Sequence, residues 1–234
     1  ACFMSPDQTA DYEFLTGTKP LRIQEDLAML MVSGIDKFLM HELQMSIAQR
    51  KAHWKRDLSS HEDYVESIRP NRERFKKISG VVDARQSVEM QFQAATSQSV
   101  PVGAGAGYKI LAVRWNALKG VDGEGIMLQP EGESVADVVA LPDCDWTPEM
   151  LAGLAPGLPK EAQFARRLAE NRCRVVIPTL IDRRDTYSGN RFRMTNQPNR
   201  EFIYRAAYEL GRHIIGYEVQ KVLACVDWFL QGTI

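Results

Sequence analysis

The order of segments predicts an α/β fold: a mixed sheet with helices on both faces, preceded by a helical N-terminal segment. Three observations carry it. A long apolar stripe at three- and four-residue spacing opens the chain, two strand-like runs flank a Gly-containing gap at 119–124, and further on apolar strand-like runs alternate with helical ones.

Residues 1–20 carry Ser, Pro, Asp, Gly and Thr without periodicity and read as an irregular lead. A long amphipathic helix is expected to begin near Leu21, with Leu27, Leu30, Met31, Ile35, Phe38, Leu39, Leu43, Ile47 and Trp54 on one stripe. Ser59 and Ser60 are ready caps for a second helical segment through Tyr64, Val65 and Ile68. Pro70 is expected to break or restart it before Phe75 and Ile78, because proline has no N–H to donate. This front third reads as a helical packing layer without the form of a catalytic site.

Beyond Gly80 the character changes. Residues 88–94 alternate weakly, as a short strand would, and 97–107, with Pro101 and three glycines, reads as a loop. Runs 108–118 and 125–129 are strand-like, and the gap between them suits a hairpin. DVVAL at 137–141 is a short buried strand, and Thr147-Pro148-Glu149 opens a helix by the rules for caps and first-turn prolines. Residues 160–171 form a clearer helix, and RVVIPTLI at 174–181 is the continuous apolar run of a strand buried inside a parallel sheet. A long polar loop covers 182–199, then two helical segments, 200–210 and about 215–230, meet at a joint marked by Gly211 and Gly216. Strands at 137 and 174 joined through a helix should pair in parallel by a right-handed crossover. The division expected is a lead and helical segment over 1–96 and an α/β segment over 97–234.

Bulk composition excludes several function classes. With 29 basic against 30 acidic residues and a net charge of -1, nothing favours nucleic acid or an anionic membrane. Local basic clusters, such as Arg72, Arg74, Lys76 and Lys77, have acidic residues among them and read as a solvated helix face. No apolar run approaches the ~18–20 residues that span a bilayer. The chain opens Ala-Cys-Phe, as after removal of a leader or within a longer protein. Cys2, Cys144, Cys173 and Cys225 are scattered, without zinc spacing, so no metal or other cofactor is expected. Cys173 and Cys225, in apolar stretches, should be small buried side chains.

Three longer segments add specificity: VVALPDCDWTPEMLAGL (138–154), AQFARRLAENRCRVVIPTLIDRRD (162–185) and YRAAYELGRHIIGYEVQKVLACVDWF (204–229). They resemble the acetyl xylan esterase and dienelactone-hydrolase-like branch of the α/β-hydrolase superfamily, over roughly residues 105–234. The resemblance implies the N-terminal half of such a domain, a partial α/β-hydrolase mixed sheet. It also implies a small-molecule or carbohydrate ester as the substrate of the full-length protein, a serine-type mechanism, and a secreted or periplasmic setting. The matching words are scaffold words. No Gly-x-Ser-x-Gly elbow occurs in the 234 residues, and in this superfamily the order is nucleophile, acid, histidine. His41, His53 and His61 lie in the front third and His213 lies ahead of the expected elbow, so no catalytic residue is assigned in this chain, which is expected to be inactive by itself.

What remains are strand-end loops. The stretch Asp143, Cys144, Asp145 and Trp146 follows the first strand of the parallel pair, where the superfamily supplies one oxyanion-hole amide. Two carboxylates there would oppose a developing negative charge unless turned away, and a helix cap at Asp145 or Thr147 is the alternative. Cys144 as nucleophile lacks a partner base and has acids on both sides, which would raise its pKa. After the second strand, Arg183 and Tyr187 are candidates for a substrate entrance, against an Asp–Arg ion-pair network that simply braces the loop. His213 and Glu218 need not share a face. Two further readings stand beside the esterase: a peptidase-like α/β-hydrolase, and a non-catalytic interaction module. An exposed sheet edge at the strand of 174–181 would allow the latter to form a homodimer.

Overall fold

A computed structural model describes residues 15–19, 22–93, 101–186, 188 and 197–232. The chain divides into two compact units, Ala1–Ile68 and Arg69–Ile234.

In the first unit, helix α1 (Leu27–Ala52) starts where Asp26 accepts a hydrogen bond from the Met29 amide at 2.9 Å, and ends with Arg50 and Lys51 in its last turn, where cations suit the helix dipole. Helix α2 (His61–Ile78) belongs to the first unit only as far as Ile68; it starts at Ser60, whose hydroxyl accepts from the Asp63 amide at 3.0 Å and donates to its carboxylate at 2.7 Å. Two expectations are corrected. Pro70 lies inside α2 without breaking it, since a single missing N–H removes one rung while the neighbouring rungs persist. Nor do these helices form a packed layer: neither has a buried residue, and Met31, Ile35, Phe38 and Leu43 are all exposed.

The second unit is built on a six-stranded mixed sheet. Strands β1 (Met90–Phe92) and β2 (Gly103–Gly105) both pair antiparallel with β3 (Tyr108–Leu118). The expected loop at 97–107 thus contains a short strand in its described part. Strand β3 turns into β4 (Val121–Pro130) at Lys119-Gly120, with Gly120 at φ +78°. The hairpin is therefore tighter than the six-residue gap expected, because a glycine in the left-handed region allows a two-residue turn.

Strand β5 (Ala136–Val139) leads through α3 (Pro148–Ala152), a 3-10 turn and α4 (Phe164–Glu170) to β6 (Cys173–Pro178). The pair β5–β6 is parallel, Ala136 facing Cys173 and Val139 facing Val176, as the sequence predicts. Strand β6 also pairs antiparallel with β4, so the sheet order is β1-β3-β4-β6-β5. This corrects the expected edge. The apolar run at 174–181 lies between two strands, with Val175, Val176 and Ile177 fully buried, and the sheet ends at β5. From β4 the chain reaches β5 one place further out, and the crossover then brings β6 into the gap between them, where an unbroken apolar run suits a strand covered on both faces.

Helices α5 (Asn199–Glu209) and α6 (Ile214–Gln231) follow. On one face of the sheet Tyr108, Ile110, Leu128, Val175 and Ile177 pack with Leu151 of α3 and Ala165 and Ala169 of α4. On the other, Val113, Trp115, Met127 and Val176 pack with Ala224, Cys225 and Phe229 of α6. The buried Trp115 indole donates to the Lys221 carbonyl of α6 at 3.0 Å and leaves no space for a Cβ at Gly123 opposite. At the start of α6, Gly216 meets the backbone of Gly80: a Cβ there would lie 2.5 Å from the Gly80 carbonyl. Gly216 is thus a close-approach residue inside the helix, and Gly211, at φ +67°, marks the joint between the helices by itself.

Candidate functional site

Parallel strands β5 and β6 deliver their following loops to the same end of the sheet, where sites form in open α/β folds. After β5, Ala140 continues the ladder by donating to the Val176 carbonyl at 2.9 Å. The chain then turns sharply through Asp143–Trp146: the Asp145 amide donates to the Asp143 carboxylate at 3.0 Å and the Trp146 amide to the Asp143 carbonyl at 3.0 Å. Thr147 is the cap of α3, accepting from the Met150 amide at 3.3 Å, so Asp145 is released from that duty. Among the described residues, the amides of Asp143 and Cys144 have no acceptor, whereas those of Asp145 and Trp146 are committed.

Arg183, from the loop after β6, answers the problem of two adjacent acids. Its guanidinium reaches the Asp143 carboxylate at 3.4 Å and pairs with that of Asp145, and its amide donates to Asp145 at 3.2 Å. Both loops are thereby tied. The Asp143 carboxyl is held below its ordinary pKa, first by the Asp145 amide and then by Arg183. Carboxylate oxygens of Asp143 and Asp145 and the Cys144 sulfur lie within 4.8 Å of one another, but Arg183 already supplies the positive charge that a cation would bring. Cys144 is buried, its pKa is raised chiefly by that burial, and its sulfur faces the Asp145 carboxylate at 4.0 Å; this is a poor setting for a thiolate.

A second tier of polar contacts fixes the β6 loop from below. Asp182 accepts from the Asn199 amide group at 2.8 Å and pairs with Arg184, and these hydrogen bonds hold its pKa low against partial burial. Arg200 forms a forked pair with Glu218 at 2.6 and 3.1 Å and donates to the Ile181 carbonyl at 2.8 Å. Glu218 therefore serves Arg200. His213 instead caps α6 through Nδ1, which accepts from the Ile215 amide at 3.1 Å, and its ring meets Tyr204 edge-on. Tyr187 lies outside the described residues.

Asn199 and Arg200 were missed by sequence reasoning, although a signal existed. An arginine in the first turn of a helix opposes the dipole and is tolerated where an acid answers it. No such rule would have chosen Glu218 as that acid.

A solved structure from Bacteroides fragilis NCTC 9343, named "putative acetyl xylan esterase", superimposes on this chain with a TM-score of 0.51. At 15% identity, the likeness is one of fold. The match covers 75% of this chain and 46% of the neighbour, so the chain spans less than half the length of the protein it resembles. No protein-family profile matches the chain, and no curated protein does. The likeness supports the α/β class of the fold. Among the described residues no helix is long and apolar enough to cross a membrane.

Proposed function

We propose that this chain is the scaffold-bearing first half of a serine-type α/β-hydrolase that cleaves carboxylic esters, acetylated carbohydrate among them, in an exported setting. One observation carries the reading: the position of the sheet edge. Among the described residues strand β5 ends the sheet, with no strand on its outer side, and the end of α6 flanks it. A groove of about 450 Å³ between them is lined by Val139 and Asp137 of β5, the latter paired with Arg174, and by Val222, Val226, Phe229 and Leu230 of α6. A further strand entering from the end of α6 would pair in parallel with β5 and bury that groove. Its C-terminal turn would then stand beside the Asp143–Trp146 loop. The nucleophile, acid and histidine belong to that further sequence, which leaves these residues inactive by themselves.

In this reading the amide of Asp143 or Cys144 is the one oxyanion donor this loop supplies, and Arg183 neutralises the two carboxylates that would otherwise oppose a developing oxyanion. The test begins with the reading frame beyond Ile234. A strand followed by a Gly-x-Ser-x-Gly-type turn is expected. The extended protein should hydrolyse p-nitrophenyl acetate, and serine-to-alanine replacement should lower kcat by about 10⁶-fold. A frame without a nucleophile elbow, or an extended protein without ester turnover, would sink the reading.

The same open edge favours a second reading, an interaction module whose β5 pairs with a second copy. It predicts a concentration-dependent dimer in sedimentation and no ester hydrolysis by the extended chain.

A further inference from the structure

Beside the tip of the β3–β4 hairpin lies an open cavity of about 460 Å³, a size that takes a small organic molecule. It is bounded by the hairpin turn, the segment 83–86 and the approach to α6, and it shares no residue with the loops after β5 and β6. Leu118, only 6% exposed, and the half-buried Val121 supply an apolar wall. Asp83, Lys119 and Arg212 are the charged side chains that line it.

Two of those charges cancel. Both Asp83 oxygens accept from Arg212, at 2.6 to 3.2 Å, and Arg212 donates once more to the Leu210 carbonyl at 3.1 Å. Asp122, next to Val121, is turned to Arg114 instead. Among the described residues Lys119 has no carboxylate partner, so the lining carries one surplus positive charge. The Tyr217 hydroxyl and the Gln86 carboxamide make no hydrogen bond among the described residues either. Tyr217 stands close enough to Arg212 to act on it electrostatically.

These features select one class of ligand. A cation would meet Lys119 and Arg212 and no unpaired acid. A dianion such as phosphate would bring its second charge beside Asp83 and leave the apolar wall uncovered. An uncharged hydrocarbon would desolvate Lys119, Tyr217 and Gln86 without a hydrogen bond in return, which is unfavourable. A monocarboxylate with an apolar body answers the surplus charge through charge-assisted hydrogen bonds while its body covers the wall.

We propose that this cavity binds a monocarboxylate with a hydrocarbon body, its carboxylate held by Lys119 and the Tyr217 hydroxyl and its body laid on Leu118 and Val121. The proposal is independent of the ester-hydrolase reading, since it uses none of the residues assigned there.

The experiment is an amide-resolved NMR titration of the 234-residue chain with hexanoate, hexanol, hexylamine and inorganic phosphate at matched ionic strength. Hexanoate should shift the amide signals of Lys119, Val121 and Tyr217 at lower concentration than the other three probes do. Lys119→Ala should weaken hexanoate about tenfold, the loss expected for a charge-assisted bond, and Tyr217→Phe about threefold. Lys109→Ala, at an exposed lysine of β3 outside the cavity, should bind as the parent does. Absence of hexanoate shifts at those amides would overturn the site. So would an equal response to hexanol or hexylamine, tighter binding of phosphate, or equal weakening in Lys109→Ala and Lys119→Ala.

Discussion

Helices α1 and α6 are both long and rich in apolar residues, yet they meet opposite fates. The 26 residues of α1 include none that is buried, whereas α6 buries Ile214, Gly216, Gln220, Ala224, Cys225 and Phe229 among its 18. The difference lies in how the apolar residues are distributed round the helix. In α6, Ala224, Cys225, Trp228 and Phe229 lie within about 140° of one another round the helix and pack together against the sheet. In α1, Met29, Val32 and Met40 depart from the stripe of Leu27, Met31, Ile35 and Phe38, because successive residues are turned by about 100° in a helix of 3.6 residues per turn. A helix is legible from spacing; its partner is legible only when the apolar residues agree on a direction.

The sharpest way to break this comparison is to truncate one phenylalanine in each helix. Phe229→Ala would open a cavity against Trp115 and Val176, and a cost of roughly 3–5 kcal/mol is expected for an aromatic deletion in a packed core. Phe38→Ala, at a side chain 61% exposed, should stay within about 0.5 kcal/mol. Urea unfolding followed by tryptophan fluorescence measures both. Similar costs for the two would mean that α1 is packed as firmly as α6.

A smaller effect sharpens what holds α6 in place. At Gly216 the added Cβ of Gly216→Ala would meet backbone atoms of Ser79 and Gly80 at 2.5–2.6 Å, and backbone cannot rotate away as a side chain can. The helix start must then lift from the 79–80 segment, at a cost of roughly 1–3 kcal/mol typical of overpacking. The ion pairs Arg212–Asp83, at 2.6 Å, and Arg85–Asp227 tie the same segment to the helix and its approach, and should limit the displacement. Thermal unfolding of Gly216→Ala at the parental midpoint would refute the close approach.

These contacts also show where sequence reading stops. The parallel β5–β6 pair was legible because β6 is an unbroken apolar run and DVVAL precedes a capped helix. The order of strands was not, since nothing in residues 173–178 says that β6 inserts between β4 and β5. In sequence Gly216 looks like part of a joint, because a glycine near a helix end has two uses, a turn or a close approach, and only the fold brings Gly80 to it. At the candidate site, sequence placed Asp143, Asp145 and Arg183 on strand-end loops and offered an ion-pair network for Arg183. It could not say that one arginine serves both acids, because a 38-residue separation between Asp145 and Arg183 is closed by the crossover alone.

The smallest effect tests that shared arginine. Arg183 and its two acids are all substantially exposed, so Arg183→Ala should leave global stability nearly unchanged. Its signature is local and depends on pH. The Asp143 carboxyl is held below the usual value near 3.9, so whatever it contributes to ordering the loop is fully present above that value. It is lost as pH falls through the depressed value of the folded chain. The titration midpoint of the Asp143 carboxyl carbon, followed by NMR, should therefore lie below that of an ordinary aspartate. In Arg183→Ala the midpoint should move upward but stop short of the ordinary value, because the Asp145 amide still donates to the same carboxylate. A midpoint that does not move would mean that the Asp145 amide and the Cys144 side chain lower it without Arg183. The link between the β5 and β6 loops would then rest on Asp145, and the neutralisation assigned to Arg183 would apply to one carboxylate instead of two.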